Sequence, residues 1–284
     1  YYDVQLKQDR EQILKKSAQY AGYHFDLNNQ DKLEQVFQKH QINKICHLAA
    51  QPGVRYSLQH PLVYGQANLT AFIKILEAAR KFAVKNIVFA SSSSIYGANQ
   101  MPKTGFSEQD VVTKPISLYG ATKLANEMMA YSYHHLYQLN LTGLRFFTVY
   151  GPWGRPDMAP MKFSRLISQD QPLEVYNHGK MQRDFTYIDD IVAGILAALE
   201  KQHSWEIINL GNSEPIKLLR FINLLEKHLG KKAKKKMLPL QPGDLIATFA
   251  NIDKAKKLLG FEPKINLEQG LKEFTDWYQD YYLT

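Results

Sequence analysis

Tyr119 and Lys123, four residues apart, and the four serines at 91–94 are the side chains in this sequence best suited to moving a proton. The apolar pattern around the pair (Leu118, Leu124, Met128, Met129) reads as a helix, which puts the phenol and the ammonium on one face. An unperturbed tyrosine titrates near ~10, too high for a base at neutral pH, but a cation about 4 Å away is worth up to roughly 4 kcal/mol at an effective dielectric of about 20. Lys123 is therefore expected to lower the Tyr119 phenol. A nearby serine hydroxyl would share the hydrogen bond to a substrate oxygen while the phenol takes or returns its proton. Tyr-x-x-x-Lys alone is a weak signal in a chain with 17 tyrosines, so its order and context carry the argument.

The elements that must hold these groups follow from periodicity. Ile87, Val88 and Phe89 make a buried strand that empties into the serines, so the hydroxyls sit at a strand's carboxyl end, where open α/β sheets bind ligands. Further strands are expected at 20–27, 42–50 and 141–149, and helices at 31–40 and at 61–82, with Pro61 near the start. This βαβ rhythm predicts an α/β fold with a parallel sheet wrapped on both faces. After Gly151 the pattern is less regular: helices at 158–169, 189–200, 215–229, 253–259 and 267–281, with short strands at 173–176, 185–188 and 207–210. Residues 1–17 are polar and helix-prone.

A chain of 284 residues can bury one large core, or one core and a smaller lobe. No apolar run approaches the ~18 residues of a membrane span, and the stretch at 191–199 is broken by Gly194. The single cysteine, Cys46, lies in an expected strand and reads as a small buried hydrophobe; without an internal partner it points to a reducing cytoplasm. The formal charge of +8 raises the question of nucleic acid, but much of the excess sits in Lys231-Lys-Ala-Lys-Lys-Lys236, read as a solvated loop with no recognition motif beside it.

Four motifs come in a telling order: Ser91-Ser-Ser-Ser-Ile-Tyr-Gly97, Pro115-Ile-Ser-Leu-Tyr-Gly-Ala-Thr-Lys123, Leu144-Arg-Phe-Phe-Thr-Val-Tyr-Gly-Pro152 and Arg183-Asp-Phe-Thr-Tyr-Ile-Asp-Asp190. They resemble the extended short-chain dehydrogenase/reductases that act on nucleotide sugars. His47-Leu-Ala-Ala-Gln-Pro-Gly-Val-Arg-Tyr-Ser57, Trp153-Gly-Arg-Pro-Asp-Met158 and Asn177-His-Gly-Lys180 are most similar to the UDP-glucuronate 4-epimerases within them. The resemblance covers nearly the whole chain. It implies a Rossmann-like doubly wound sheet over 1–151, and over 152–284 a smaller, mainly UDP-sugar-binding lobe from which a segment around 185–211 returns to the sheet. No glycine fingerprint of the G-x-G-x-x-G type occurs, and Tyr1 would fall just after the family's second strand. The chain is therefore expected to start one βαβ unit late, without the pyrophosphate cradle and the ribose acid, and to hold NAD weakly unless those strands are supplied.

The resemblance further implies a catalytic set of Ser92, Tyr119 and Lys123. Ser92 is chosen among the serines by its distance from the Tyr96-Gly97 pair, and strand alternation would turn Ser94 the same way. NAD would lie against Asp26, Leu27, Leu48, Ala49, Ala50, Gln51, Asn68, Ala90 and Ser91, as well as Tyr119 and Lys123. The UDP-sugar would meet Arg55, Ser92, Ser93, Ser94, Thr148, Arg155, Arg183 and Asp244, with Arg183 on the diphosphate, Asp244 on the nucleotide ribose, and Arg155 and Thr148 at the carboxylate end. No metal is implied, and a homodimer is. The implied reaction is epimerisation at C4 through a transient ketone, with NAD regenerated in each cycle. A decarboxylase or dehydratase of the same family, a nucleotide-sugar-binding fragment without turnover and, from another class, a nucleic-acid binder are the alternatives at this point.

Overall fold

A buried strand needs a neighbour for each of its N–H and C=O groups and an apolar cover on each face, and the residues around the serine strand supply both. In a computed structural model, residues 2–97, 99, 102–240 and 246–284 are described. In order, the elements are α1 (Gln5–Leu14), α2 (Gln30–Lys39), β1 (Lys44–His47), α3 (Val54–Gln59), α4 (Pro61–Tyr64), a π turn (Gly65–Thr70) and α5 (Ala71–Lys81). Then come β2 (Asn86–Ser92), a 3-10 turn (Ser93–Tyr96), α6 (Leu118–Tyr137), β3 (Leu141–Phe146) and β4 (Thr148–Tyr150). The rest is α7 (Ala159–Ser168), β5 (Pro172–Val175), β6 (Gln182–Tyr187), α8 (Ile188–Lys201), β7 (Trp205–Leu210), β8 (Pro215–Lys217), α9 (Leu218–Leu229), β9 (Lys234–Met237), β10 (Ala247–Thr248), α10 (Asp253–Leu259) and α11 (Leu267–Tyr282).

The main sheet runs β1-β2-β3-β7, all parallel, with Ala90 opposite Leu144 and Leu144 opposite Ile208. Successive residues of β2 serve different cores, as a pleated strand covered on both sides requires. Ile87 and Phe89 pack with Phe72, Leu76 and Ala79 of α5 and Ala130 of α6, while Val88 packs with Ile191, Ile195 and Ala198 of α8. A third core belongs to the C-terminal lobe, where Tyr150, Phe185, Tyr187 and Ile216 meet Phe221, Leu225, Leu271 and Phe274. There β6 pairs in parallel with β4 and β10 and antiparallel with β8. Asp184 of β6 is fully buried and accepts backbone N–H bonds from Asn212 (2.6 Å), Ser213 (3.0 Å) and Ala250 (2.9 Å), which fastens two loops to the lobe's central strand.

Several expectations change. Residues 20–27 form no ladder, and among the described residues β1 pairs only with β2, so β1 is an edge. Cys46 is consequently exposed rather than a buried hydrophobe, because the edge brings no cover to it. The strand expected over 141–149 is two strands in two sheets, broken at Phe147, whose N–H turns to the Leu210 carbonyl (3.0 Å). The lysine run is not a plain loop: Lys234–Met237 pair with β5, and the buried Glu226 carboxylate takes Lys232 and Lys235. The helix expected from 215 begins at Leu218, since 215–217 are spent as a strand on β6. Among the described residues no helix is long and apolar enough to cross a membrane.

The exposed edge gives a direct test: a maleimide should label the folded chain at Cys46 to near completion without denaturant. Protection until the chain is unfolded would mean that the edge is covered in solution.

Candidate active site

The carboxyl ends of β1, β2 and β3 open into a cleft of about 980 Å³ between the sheet and the C-terminal lobe. One wall is the first turn of α6. Ser117 caps it, accepting from the Gly120 N–H at 3.0 Å, and Gly120 lets the helix lie against the 93–96 turn, since a Cβ there would come 2.6 Å from the Ser94 carbonyl.

From that start, three successive turns of α6 meet three successive residues of β2. Tyr119 hydrogen-bonds Ser92. Lys123 donates to the Ala90 carbonyl at 2.9 Å. Glu127 accepts from the Ser91 hydroxyl at 2.5 Å. Glu127 in turn holds Arg145 of β3 in a bidentate pair (2.9 and 2.8 Å), with both side chains buried. Arg145 also donates to the Tyr96 hydroxyl (3.1 Å), which donates to Asn209 of β7 (2.7 Å). Glu127 and Arg145 are not evident as site residues from the sequence, where the signal for Glu127 is its eight-residue step from Tyr119 on one helix face.

The electrostatics depart from expectation. Burial raises the Tyr119 phenol above its usual value, and the influences that lower it are the Ser92 hydrogen bond and the charge of Arg155. Lys123 is not among the influences that lower the phenol: its ammonium is turned to the Ala90 carbonyl, and burial itself brings it down to about 8. Nearby, burial and the charge of Lys123 push His47, stacked on Phe72, down to about 4, so it is neutral at physiological pH. Tyr64, also missed from sequence, is fully buried with its ring edge-on to Tyr119 and its hydroxyl donating to the Pro52 and Gly53 carbonyls (2.8 and 2.6 Å).

Of the residues expected to face NAD, Leu48, Ala50, Gln51, Ala90, Ser91, Tyr119 and Lys123 line the cleft, although the Ser91 hydroxyl is committed to Glu127. Ala49, Asp26 and Leu27 are not among the lining residues. Asn68 lies behind the wall: buried in the π turn, it bonds both backbone groups of Gln51 (2.7 and 3.1 Å) and the Thr122 hydroxyl (3.0 Å), fixing the loop after β1 to α6. Of the substrate residues, Arg55, Ser92, Ser93, Ser94, Thr148 and Arg155 line the cleft and Arg183 does not. Asp244 lies outside the described residues. The 3-10 turn ends strand alternation at Ser92, so Ser94 reaches the cleft through that turn, its N–H donating to the Ser92 hydroxyl (3.1 Å). The cleft also recruits Tyr2, Lys7, Arg10, Asp157 and Lys162, which the sequence reading did not single out. Among the described residues no cluster of His, Cys, Asp or Glu could hold a metal.

An ammonium carries three donors, and the described residues give Lys123 one acceptor in a buried position. A buried lysine with donors to spare beside small residues at strand ends fits a hydroxyl-rich, flat cofactor such as NAD.

The polar ladder predicts graded losses of stability in urea unfolding: about 1 kcal/mol for Ser91→Ala, which removes one hydrogen bond, and roughly 3–5 kcal/mol for Glu127→Ala, which strands the Arg145 charge. Equal losses would mean that the ion pair is not the anchor. Lys123 predicts a pH signature. Its folded value of about 8 lies below the ordinary 10.5, so the unfolded chain binds more protons between those limits and stability rises with pH across the window. Lys123→Met should therefore be the more stable protein at neutral pH, by up to about 3 kcal/mol, with the difference shrinking as pH rises through the window. A difference independent of pH would sink this account.

A model of the NAD dependent epimerase/dehydratase family matches residues 4–211. An uncharacterized protein of Methanocaldococcus jannaschii is 52% identical over 278 residues, covering 98% of this chain and 85% of the relative. A UDP-glucuronate 4-epimerase of Thermodesulfobacterium geofontis is 45% identical over 277 residues, 97% of this chain and 84% of that protein. The crystal structure of UDP-glucuronic acid 4-epimerase from Bacillus cereus, in complex with UDP-glucuronic acid and NAD, superposes with a TM-score of 0.91 at 36% identity, covering 98% of this chain and 88% of the other. A parallel sheet with Ser92 at a strand end beside Tyr119 and Lys123 of α6, in a chain matched by relatives over nearly all its length, leaves one assignment: the chain belongs to the NAD dependent epimerase/dehydratase family.

Proposed function

We propose that the chain interconverts UDP-glucuronate and UDP-galacturonate by inverting C4 through a 4-keto intermediate. The observation that carries this reading is that Ser92, Tyr119 and Lys123 line one cleft together with Arg155. The likeness to UDP-glucuronate 4-epimerases supports it.

In this reading Ser92 holds the sugar's 4-hydroxyl and Tyr119 removes its proton as C4 is oxidised, then returns it as C4 is reduced. NAD, when bound, supplies the acceptor and then the donor of the hydride exchanged with C4. Lys123 would hold the cofactor through its remaining donors, and Ala50 and Ala90 would let it approach the backbone. Burial raises the phenol, so a cation beside it is needed to make the phenolate accessible; Arg155 supplies that influence and faces a carboxylate on the neighbouring carbon. Arg183 and Asp244 remain our proposed holders of the diphosphate and the ribose.

The same reading makes 1–151 the cofactor half and 152–284 mainly the substrate lobe, with β7 back in the main sheet. We further infer a homodimer in the cytoplasm. Ile73 on α5 and Met128 and Tyr131, one turn apart on α6, are exposed apolar side chains suited to cover by a second copy, and a single exposed thiol is in keeping with a reducing compartment.

Incubation with UDP-glucuronate and NAD+, followed by chromatography of the nucleotide sugars, should yield UDP-galacturonate. Tyr119→Phe should lower kcat by at least about a thousandfold while UDP-glucuronate still binds. Release of carbon dioxide and a UDP-pentose would replace epimerisation by decarboxylation, and binding without turnover at saturating NAD+ would reduce the chain to a nucleotide-sugar-binding protein.

A further inference from the structure

We infer that Lys7, on α1, is a second cation for the sugar carboxylate, acting beside Arg155; this rests on the substrate reading above. The segment is not held as a core helix. Leu6 is its one buried residue, and its other anchors are polar and reach the C-terminal lobe. Asp9 accepts from the Tyr281 hydroxyl of α11, and Arg10 donates to the Tyr2 hydroxyl (2.9 Å) and to the Trp153 carbonyl (3.3 Å).

Those anchors fix α1 against the loop that carries Arg155. Trp153 holds a left-handed backbone (φ 61°), uncommon for a bulky residue, and its ring is wedged at 5.3 Å from Trp277 and 5.0 Å from Tyr281. Lys7 stands three residues before Arg10 and so shares its helix face, and both side chains line the cleft with Arg155.

Charge then separates the cations. Arg10 is committed to Tyr2 and Trp153. The acid lining the cleft, Asp157, is paired with Arg155 at 3.2 Å. Lys7 has among the described residues the Tyr2 ring beneath it (4.9 Å) and no carboxylate or carbonyl, so its N–H donors remain for an anionic oxygen. The substrate offers a carboxylate and a diphosphate. Arg155 stands two residues beyond the Trp153 that Arg10 holds and lines the cleft with Tyr119 and Ser92, so this end of the cleft is where C4 reacts. The carboxylate hangs from the carbon next to C4, whereas the diphosphate leaves from C1 across the ring. Lys7 is therefore assigned to the carboxylate.

Lys7 is exposed, so Lys7→Gln should fold normally, as melting temperature will check. Calorimetric affinities of Lys7→Gln and Lys7→Arg for UDP, UDP-glucose and UDP-glucuronate test the assignment. The expected result is about a tenfold loss for UDP-glucuronate in Lys7→Gln, no loss for UDP or UDP-glucose, and recovery in Lys7→Arg. An equal loss for UDP would move Lys7 to the diphosphate, and no loss for any ligand would make it a solvated surface lysine; either overturns the inference. A wild-type chain that binds UDP-glucose as well as UDP-glucuronate would instead overturn the substrate reading.

Discussion

The buried pair between Glu127 and Arg145 is the constraint on which the site depends. Two charges removed from water are tolerated only when each meets the other and its remaining hydrogen-bonding groups are satisfied, and here Ser91, Tyr96 and Asn209 complete the set. The pair joins α6, β2, β3 and β7 at one point beneath the cleft. It also consumes the one acid near Lys123 on that helix face, which leaves the lysine without an ionic partner and open to the full effect of burial. The same interaction thus holds the geometry and sets the charge state of the groups above it.

A second layer of positioning is carried by side chains that never face the cleft. Asn68 interrupts regular helix geometry with a π turn and spends its amide on the backbone of Gln51. Extra-wide helical turns of this kind are frequent at functional sites, because they free backbone and side-chain groups for such tasks. The Gln51 loop therefore sits where the helix tells it to, and the strand end before it inherits that placement.

Much of this was legible in the sequence. The apolar run Ile87-Val-Phe89 and its passage into four serines located β2, and the spacing of Tyr119 and Lys123 located the helix face that meets it. What could not be read was how each charge is balanced. Lys123 was expected to activate Tyr119, but which acceptor an ammonium chooses depends on a carbonyl 33 positions away in sequence. Cys46 looked like a core residue because its neighbours are apolar, and its exposure depends on the sheet order, which periodicity does not encode. The role of α1 was invisible for the same reason: its anchors, Trp153 and Tyr281, are more than a hundred residues distant.

The break at Phe147 separates the last residue of a main-sheet strand from the first residue of a strand in the lobe. The chain crosses between the two sheets three times, at Phe147, through 188–204 and through 211–214, and Phe147 is itself bonded across to Leu210, which leaves little slack between them. The cleft is therefore less a gap between two bodies that swing than a notch cut into a continuous girder. Ligands should find its width nearly unchanged on arrival, so that discrimination between sugars falls to the charges lining the notch rather than to closure around them.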